Sequence, residues 1–129
     1  MIHEFPVRVY YEDTDMGGIV YYANYLRFIE RARSDWVRSL GIDQNAMREQ
    51  DGIVFVVRRL EAEYLLPAKF DDDLVVRTTV KSVTGVRLTM MQDVLRGEDL
   101  LFQAEVLVVC VTDGGLPARL PANIRRQIH

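Results

Sequence analysis

The chain has 129 residues, of which 49% are hydrophobic and 27% charged, and its formal net charge is −3. This length suits one domain with a real core and is too short for two, so we expect a single domain over residues 1–129. The composition is that of a globular protein rather than a disordered one. The acidic balance argues against a dedicated nucleic-acid binder, which usually carries a basic surplus.

Neither a membrane span nor an export signal is evident in the sequence. No apolar run reaches the roughly 18 residues that a membrane helix needs. The N-terminus MIHEFPVRVYYED lacks the basic start and apolar stretch of a signal peptide. The only cysteine, Cys110, lies in an apolar run and is interpreted as a small buried hydrophobic residue. We therefore expect a cytoplasmic protein with no stable membrane insertion.

The first third of the chain predicts a strand, a loop and a long helix. Residues 5–11 alternate between apolar and other side chains, as in a strand with one buried face. The loop follows, and from about Ala23 to Leu40 apolar residues recur at three- and four-residue steps. This spacing indicates an amphipathic helix, and Gly41 is a good stop signal for it. A shorter helix is expected around residues 43–49.

The rest of the chain predicts four more strands, at residues 53–64, 74–83, 86–95 and 100–112. Short links between sequential strands imply an antiparallel sheet. The long helix needs burial against that sheet. We therefore predict an α+β hotdog fold, in which an antiparallel five-stranded sheet wraps around one long central helix.

One part of the predicted sheet is apolar on both faces. Residues 53–57 are apolar at every position, so we expect both faces of that segment to be covered. Something must then cover part of the outer sheet surface or edge. A symmetric dimer would do this.

Several kinds of active site are excluded by what the sequence lacks. The only histidines, His3 and His129, lie at opposite ends of the chain, which argues against a Ser-His-Asp or Cys-His triad and against a His/Cys metal site. Glu12, Asp13 and Asp15 do not have the spacing of a calcium loop. No glycine pattern typical of nucleotide-binding loops is present. We expect neither a metal nor a cofactor.

The loop before the helix combines two aspartates, Asp13 and Asp15, with Gly17 and Gly18. A helix start presents unpaired N–H groups, which suit a carbonyl oxygen that becomes negative during attack. The glycines leave room for a bound group beside the backbone, so Gly18 is a candidate substrate contact. An aspartate nearby can attack a carbonyl carbon or activate water, and a thioester suits this chemistry because a thiolate leaves without a strong acid.

The same pattern has a structural interpretation. An Asp-x-Asp sequence before a helix commonly forms an N-terminal cap or an Asx-turn. We assign Asp13 mainly to this role. Spacing alone does not separate the two interpretations for Asp15.

The stretch YEDTDMGGIVYYANYLRFIERAR resembles the signature of the YbgC-type hotdog acyl-CoA thioesterases, which are linked to the bacterial Tol–Pal cell-envelope system. It is similar, more distantly, to 4-hydroxybenzoyl-CoA thioesterase. FVVRRLEAEYLLPAKFDDDL and AEVLVVCV resemble later strands of this family, so the likeness covers nearly the whole chain. It implies hydrolysis of a short-chain, long-chain or aromatic acyl-CoA, with coenzyme A entering only as part of the substrate.

The resemblance also implies roles for residues around the helix start. Asp15 matches the catalytic carboxylate, and the backbone N–H of Tyr22, with its neighbour Ala23, matches the group that polarises the thioester carbonyl. Asn24 and Tyr25 are expected to position the helix start or to line the acyl pocket. Many relatives carry histidine in place of Tyr22. Because tyrosine, with a pKa of about 10, is a poor base at neutral pH, Asp15 is left with more of the work.

The substrate and the resemblance together predict binding partners. Coenzyme A carries phosphates, so basic residues are expected near the pocket mouth, and Arg58, Lys81 and Arg87 are the candidates. The resemblance implies a homodimer with paired sheets, often a homotetramer, with active sites at the subunit interface. An acyl carrier protein is a further candidate partner.

Two other functions are compatible with this fold. One is a non-catalytic module that binds acyl-CoA or an acyl carrier protein. The other is a hotdog dehydratase, which is disfavoured because such enzymes typically rely on a pocket histidine and this chain has none in its interior.

Overall fold

The computed structural model describes residues 2–127. In chain order the elements are β1 (Ile2–Arg8), α1 (Asn24–Ser39), α2 (Gln44–Ala46), β2 (Ile53–Tyr64), β3 (Asp73–Val83), β4 (Arg87–Arg96), β5 (Asp99–Thr112), β6 (Pro117–Ala118) and α3 (Ala122–Arg125).

The strands form one antiparallel sheet in the order β1-β3-β4-β5-β2, and β6 pairs with the end of β5. The predicted α+β hotdog architecture is confirmed. The predicted number of strands was wrong by one, because β6 was missed. This strand has only two residues and begins with Pro117, which cannot donate to a ladder, so its sequence carries no strand pattern.

The long helix α1 buries one stripe against a face of the sheet, as its spacing predicts. Phe28, Ile29 and Ala32 have no exposed surface, and neither does Phe102 on β5. Gly41 stands just past the helix with φ of +80°, a conformation that favours glycine and ends the helix as predicted.

The shorter predicted elements differ slightly from those observed. The first strand ends at Arg8, and Tyr11–Asp13 forms a 3₁₀ turn instead of extending it. The expected second helix is α2 followed by a π-helical turn at Met47–Asp51, and the Asp43 side chain caps it by accepting the Ala46 N–H at 3.1 Å. None of the helices within residues 2–127 has the length and apolar character to cross a bilayer.

The edge strand β2 is less covered than its sequence predicts. Within residues 2–127 it pairs with β5 only, so its other edge is unpaired. Val56 and Val57 are 36% and 45% exposed, although adjacent strand residues point to opposite faces. The expectation that both faces of residues 53–57 are covered is therefore not met within one protomer.

Cys110 lies on β5 and is 1% exposed, so its predicted burial is confirmed. This burial raises the pKa of its thiol to about 11, because the thiolate would lose its hydration. The thiol therefore stays protonated at neutral pH and packs as a small hydrophobic group.

Candidate active site

Asp13 organises the turn that leads from β1 to α1. Its Oδ2 accepts the Tyr10 N–H at 2.8 Å, and its Oδ1 accepts the Asn24 side-chain amide at 2.8 Å. Its carbonyl oxygen accepts the Tyr21 N–H at 2.9 Å. Both carboxylate oxygens are therefore occupied in a side chain that is 5% exposed. This geometry suits the structural role assigned to Asp13.

Asp15 has one carboxylate oxygen held by its own loop and one without a partner. Oδ1 accepts the Gly17 N–H at 2.8 Å, whereas Oδ2 has no hydrogen-bond partner within residues 2–127. A Cβ at position 17 would lie 3.2 Å from Oδ1, so glycine allows this close approach. Gly18 completes the turn with φ of +78° and donates to the Asp15 carbonyl oxygen at 3.0 Å. The loop thus leaves the second carboxylate oxygen of Asp15 available to accept a further hydrogen bond.

The aspartate loop is attached to the segment that follows β2. The Val20 N–H donates to the Ala68 carbonyl oxygen at 2.8 Å. Isolated bridges join Ile19 to Lys69 and Thr14 to Val20. These contacts hold the loop beside the chain that leaves the end of β2.

A cleft of about 360 Å³ lies between this loop, the start of α1 and the end of β2. Three of the predicted site residues line it: Asp15, Tyr22 and Tyr25. The other lining residues are Ile19, Val20, Tyr21, Tyr64, Leu65, Leu66 and Pro67.

The start of α1 leaves backbone donors without acceptors. In the described part of the chain, the amides of Tyr22, Ala23 and Tyr25 make no hydrogen bond, whereas the Asn24 N–H donates to the Tyr21 carbonyl oxygen at 2.8 Å. Two of these three residues line the cleft. Unpaired N–H groups at a helix start, together with the helix dipole, suit an oxygen that gains negative charge.

Aromatic packing fixes the peptide at Tyr22. Tyr25 stacks on Phe102 with ring centroids 4.9 Å apart, and Tyr64 contacts the same two rings edge-on. The Tyr64 hydroxyl donates to the Tyr22 carbonyl oxygen at 2.7 Å. Desolvation, followed by the neighbouring tyrosines Tyr22 and Tyr25, raises the pKa of Tyr64, so its hydroxyl keeps the proton it donates.

Tyr25 is also fixed at its hydroxyl. Its phenol oxygen accepts the Ala68 N–H at 3.1 Å, which ties α1 to the segment after β2. Burial raises the pKa of Tyr25, so the phenol stays neutral. Tyr25 is 3% exposed, and its ring forms part of the cleft wall. We assign it no role as a base.

Sequence reasoning missed one wall of the cleft, which Tyr64, Leu65 and Leu66 form. They are 49%, 47% and 46% exposed. A signal was present: the alternation of β2 gives way to three consecutive apolar residues before Pro67. Adjacent exposed apolar residues usually mark a binding surface or an interface.

Three residues predicted to bind substrate do not line the cleft. Gly18 is committed to the turn at Asp15, and the Asn24 side chain is committed to Asp13. Ala23 offers only its backbone amide. Their predicted contacts with substrate stay predictions.

The three basic candidates for binding coenzyme A also lie outside the cleft. Arg58 sits at a bulge of β2, six residues or about 20 Å of strand before Tyr64. Lys81 forms an ion pair with Glu105, and Arg87 begins β4. Within one protomer, therefore, the cleft contains none of these cations.

The histidines and other metal ligands do not gather at the cleft. His3 on β1 pairs its Nε2 with Asp35 Oδ2 of α1 at 2.9 Å and does not line the cleft, and His129 lies outside the described residues. Over residues 2–127, no group of three or more His, Cys, Asp or Glu side chains could hold a metal ion.

Comparisons of sequence and of structure with known proteins all identify thioesterases. A sequence profile of the thioesterase-like superfamily matches residues 9–128. The chain is 43% identical over 126 residues to the acyl-CoA thioesterase YbgC of Haemophilus influenzae, spanning 97% of this chain and 93% of that protein. It is 44% identical over 125 residues to the acyl-CoA thioester hydrolase YbgC of Escherichia coli, spanning 95% and 92%. A probable thioesterase from Bartonella henselae has a similar structure, with a TM-score of 0.90 and 38% identity over 94% of this chain and 100% of that chain.

The contrast between the two aspartates predicts different effects on stability. Asp13→Ala leaves the Tyr10 N–H and the Asn24 amide without their acceptor, so we expect the free energy of unfolding to fall by about 2–4 kcal/mol. Asp15→Ala removes one exposed hydrogen bond and should cost less than about 1 kcal/mol. Denaturant unfolding of both variants measures the difference. Equal losses, or a larger loss for Asp15→Ala, would contradict these roles.

Proposed function

Because this chain belongs to the thioesterase-like superfamily, and within it to the YbgC type, we propose that it hydrolyses the thioester bond of an acyl-CoA. Asp15 supplies the catalytic carboxylate. The amides of Tyr22 and Ala23 bind the carbonyl oxygen. Neither a metal nor a cofactor takes part.

One observation carries this proposal: residues with a free carboxylate oxygen and with free backbone amides line the same cleft. They are Asp15, whose Oδ2 has no partner within residues 2–127, and Tyr22 and Tyr25, whose amides have no acceptor there. The amide of Ala23, next to Tyr22, is also without an acceptor. Thioester hydrolysis needs a group that attacks or activates water and a donor for the oxyanion. A volume of about 360 Å³ is large enough for the reacting part of such a substrate.

The reaction follows one of two routes, in which Asp15 is either a general base or a nucleophile. In the first, Asp15 takes a proton from water as the water oxygen bonds to the carbonyl carbon. In the second, the Asp15 carboxylate bonds to that carbon itself, and water later hydrolyses the resulting anhydride. In both, the electron pair of the C=O bond moves to oxygen and is stabilised by the helix-start amides. The C–S bond then breaks, the carbonyl reforms, and coenzyme A leaves as a thiolate that takes up a proton.

Tyr22 acts through its backbone in this proposal. No proton transfer is assigned to its side chain. The Tyr64 hydroxyl holds the carbonyl oxygen of the Tyr22–Ala23 peptide, whose N–H group is that of Ala23 and is left for the substrate. Tyr64 is thus a positioning residue.

We also propose that two copies of the chain pair through β2. The unpaired β2 edge and its exposed residues Val56 and Val57 support this contact, since proteins rarely leave a long apolar edge open. A two-fold axis pairs the two β2 strands antiparallel. The start of β2 in one copy then lies beside the end of β2, and hence the cleft, of the other.

This dimer brings the basic candidates towards the cleft from the second copy. Arg87 aligns with Val109 on β5, which in turn aligns with Val56 near the start of β2. Arg58 lies in the same strand, and Lys81 lies before the hairpin that leads to Arg87. We propose that these cations bind the phosphates of a coenzyme A whose thioester lies in the neighbouring copy.

Three further proposals concern location and partners, and the second of them rests on the family resemblance. They are a cytoplasmic location, a link to the Tol–Pal system, and an acyl carrier protein as an additional partner. Cell fractionation tests the first, the envelope phenotype of a deletion strain tests the second, and turnover of an acyl-carrier-protein thioester tests the third.

Replacing the Asp15 carboxylate tests the proposed chemistry. Asp15→Asn should lower kcat for acyl-CoA hydrolysis by a factor of about 10²–10⁴, because the amide is neither a base nor a nucleophile. Tyr22→Phe keeps the backbone amide and should change kcat little. Circular dichroism should show both variants folded. Near-normal turnover by Asp15→Asn would rule out the catalytic assignment.

The same assay separates the enzyme from the binding module. A wild-type protein that binds acyl-CoA at saturation without releasing coenzyme A would favour the non-catalytic alternative. A screen across short-chain, long-chain and aromatic acyl-CoAs guards against testing the wrong substrate.

A charge on the β2 edge tests the dimer. Val57→Lys should shift the protein from dimer to monomer and lower hydrolysis, since each site needs the second copy. Ile2→Lys places the same charge on an exposed residue of the opposite edge strand, β1, and should leave both unchanged. Sedimentation velocity measures the oligomeric state. A dimeric, active Val57→Lys protein would exclude this interface.

Ionic strength tests the basic residues. The KM for acyl-CoA should rise with salt, because salt screens contacts between phosphates and cations. An acyl thioester of N-acetylcysteamine, which lacks phosphates, should show no such rise. Arg58→Ala and Arg87→Ala should each raise KM for acyl-CoA and reduce its salt dependence. Unchanged salt dependence in both variants would remove these residues from the site.

A further inference from the structure

A second, smaller cavity lies between the C-terminal half of α1 and the start of β2. Its volume is about 130 Å³. It is separate from the first cleft, with which it shares no lining residue. Most of its wall is apolar: Trp36, Val37, Phe55, Leu88, Met90 and Val108.

One cation, Arg33, lines this apolar cavity. Its Nη1 donates to the Gln92 side-chain oxygen at 2.9 Å, and its other N–H groups have no partner within residues 2–127. No carboxylate of the described chain lies within 4.0 Å of the guanidinium. Glu30, about one turn earlier on the helix, also lines the cavity, but its carboxylate accepts the Ser34 hydroxyl at 2.5 Å instead of pairing with Arg33.

A buried amide fixes the position of Arg33. Gln92 has no exposed surface, and its Nε2 donates to the Ile29 carbonyl oxygen and to the Thr78 hydroxyl, each at 3.0 Å. Both amide hydrogens are therefore used, and the amide oxygen must face Arg33. Burial lowers the pKa of Arg33, and the charge of Glu30 only partly opposes this shift.

An anion in the cavity would give Arg33 a direct counter-charge. Arg33 is partly buried, its hydrogen-bond partner Gln92 is neutral, and the carboxylate of Glu30 is not in contact with it, so a bound anion would offset part of its lost hydration. The guanidinium fork matches a carboxylate in shape and charge. The remaining walls suit hydrocarbon.

We propose that this cavity binds a carboxylate carried on a short aliphatic chain, with Arg33 as its counter-ion. The volume lies well below the roughly 300–1,000 Å³ typical of sites for larger ligands, so only a few carbon atoms fit. Such a carboxylate has two sources. One is a free short-chain carboxylic acid, the class of product that thioester hydrolysis releases. The other is the distal carboxylate of a dicarboxylic acyl group.

The second source rests on the function and dimer proposed above. Val56 and Val57 line this cavity and also form the open β2 edge. In the antiparallel dimer, this end of β2 adjoins the cleft of the other copy. An acyl group held there can direct its distal end towards Arg33.

Trp36 gives a direct readout of binding, because it is the only tryptophan in the chain and lines the cavity. Titration with hexanoate should change its fluorescence and saturate in the millimolar range. Hexan-1-ol, a neutral ligand with the same chain length, should bind more weakly, on the order of tenfold. This comparison uses the wild-type protein and needs no variant to fold.

Two variants assign the preference to Arg33. Arg33→Gln should bind hexanoate and hexan-1-ol about equally. Arg38→Gln removes an exposed arginine of the same helix that does not line the cavity, and should keep the wild-type ratio.

Kinetics identify the source of the carboxylate. If it is a distal carboxylate, the KM for adipoyl-CoA should be lower than that for hexanoyl-CoA, and Arg33→Gln should abolish the difference. If it is a free acid, hexanoate should bind without any preference between these thioesters. Saturable hexanoate binding without hydrolysis of any thioester would support the cavity and reject the proposed function. Equal binding of acid and alcohol, with no preference for adipoyl-CoA, would overturn the inference.

Discussion

The candidate site depends on how the first turn of α1 is held. Within residues 2–127 the amides of Tyr22, Ala23 and Tyr25 have no acceptors, because no helical turn precedes them. The contacts that fix this segment use other groups: Asp13 accepts from Asn24 and Tyr21, and the Tyr64 hydroxyl donates to the Tyr22 carbonyl oxygen. These bonds position the helix start without consuming its free donors. The donors therefore need not reorganise when charge develops on a bound oxygen, which is the condition for strong oxyanion stabilisation.

The two aspartates of the loop differ in their hydrogen bonding, which suits the different roles proposed for them. Asp13 is buried with both oxygens satisfied, whereas Asp15 is exposed with one oxygen free. A carboxylate that kept all its hydrogen bonds inside the loop would have none for a substrate. The glycine at position 17 makes the difference possible, because it lets one oxygen fold back onto the loop while the other stays open.

The fold was predictable from local patterns, because the period of α1 and the alternation of the strands depend on nearby residues. Asp15, Tyr22 and Tyr25, which line the cleft, lie on one continuous stretch, but their roles were predicted from the family resemblance of that stretch and not from its spacing. Tyr64 was missed because its contacts with that stretch cross about forty residues of sequence and depend on the sheet closing around the helix. The roles of β2 and of the basic residues extend beyond one protomer, since no pattern in a single chain specifies which edges of two copies meet.

The central claim is that the Asp15 carboxylate and the amides at the start of α1 contact the same carbonyl group of the substrate. A crystal structure of the protein with a non-hydrolysable thioether analogue of acyl-CoA that retains a carbonyl oxygen tests this most directly. The account predicts that oxygen about 2.7–3.1 Å from the amide nitrogen of Tyr22 or Ala23, with the Asp15 carboxylate facing the carbonyl carbon. An analogue whose carbonyl lies away from these amides, or an Asp15 side chain turned out of the cleft, would contradict it.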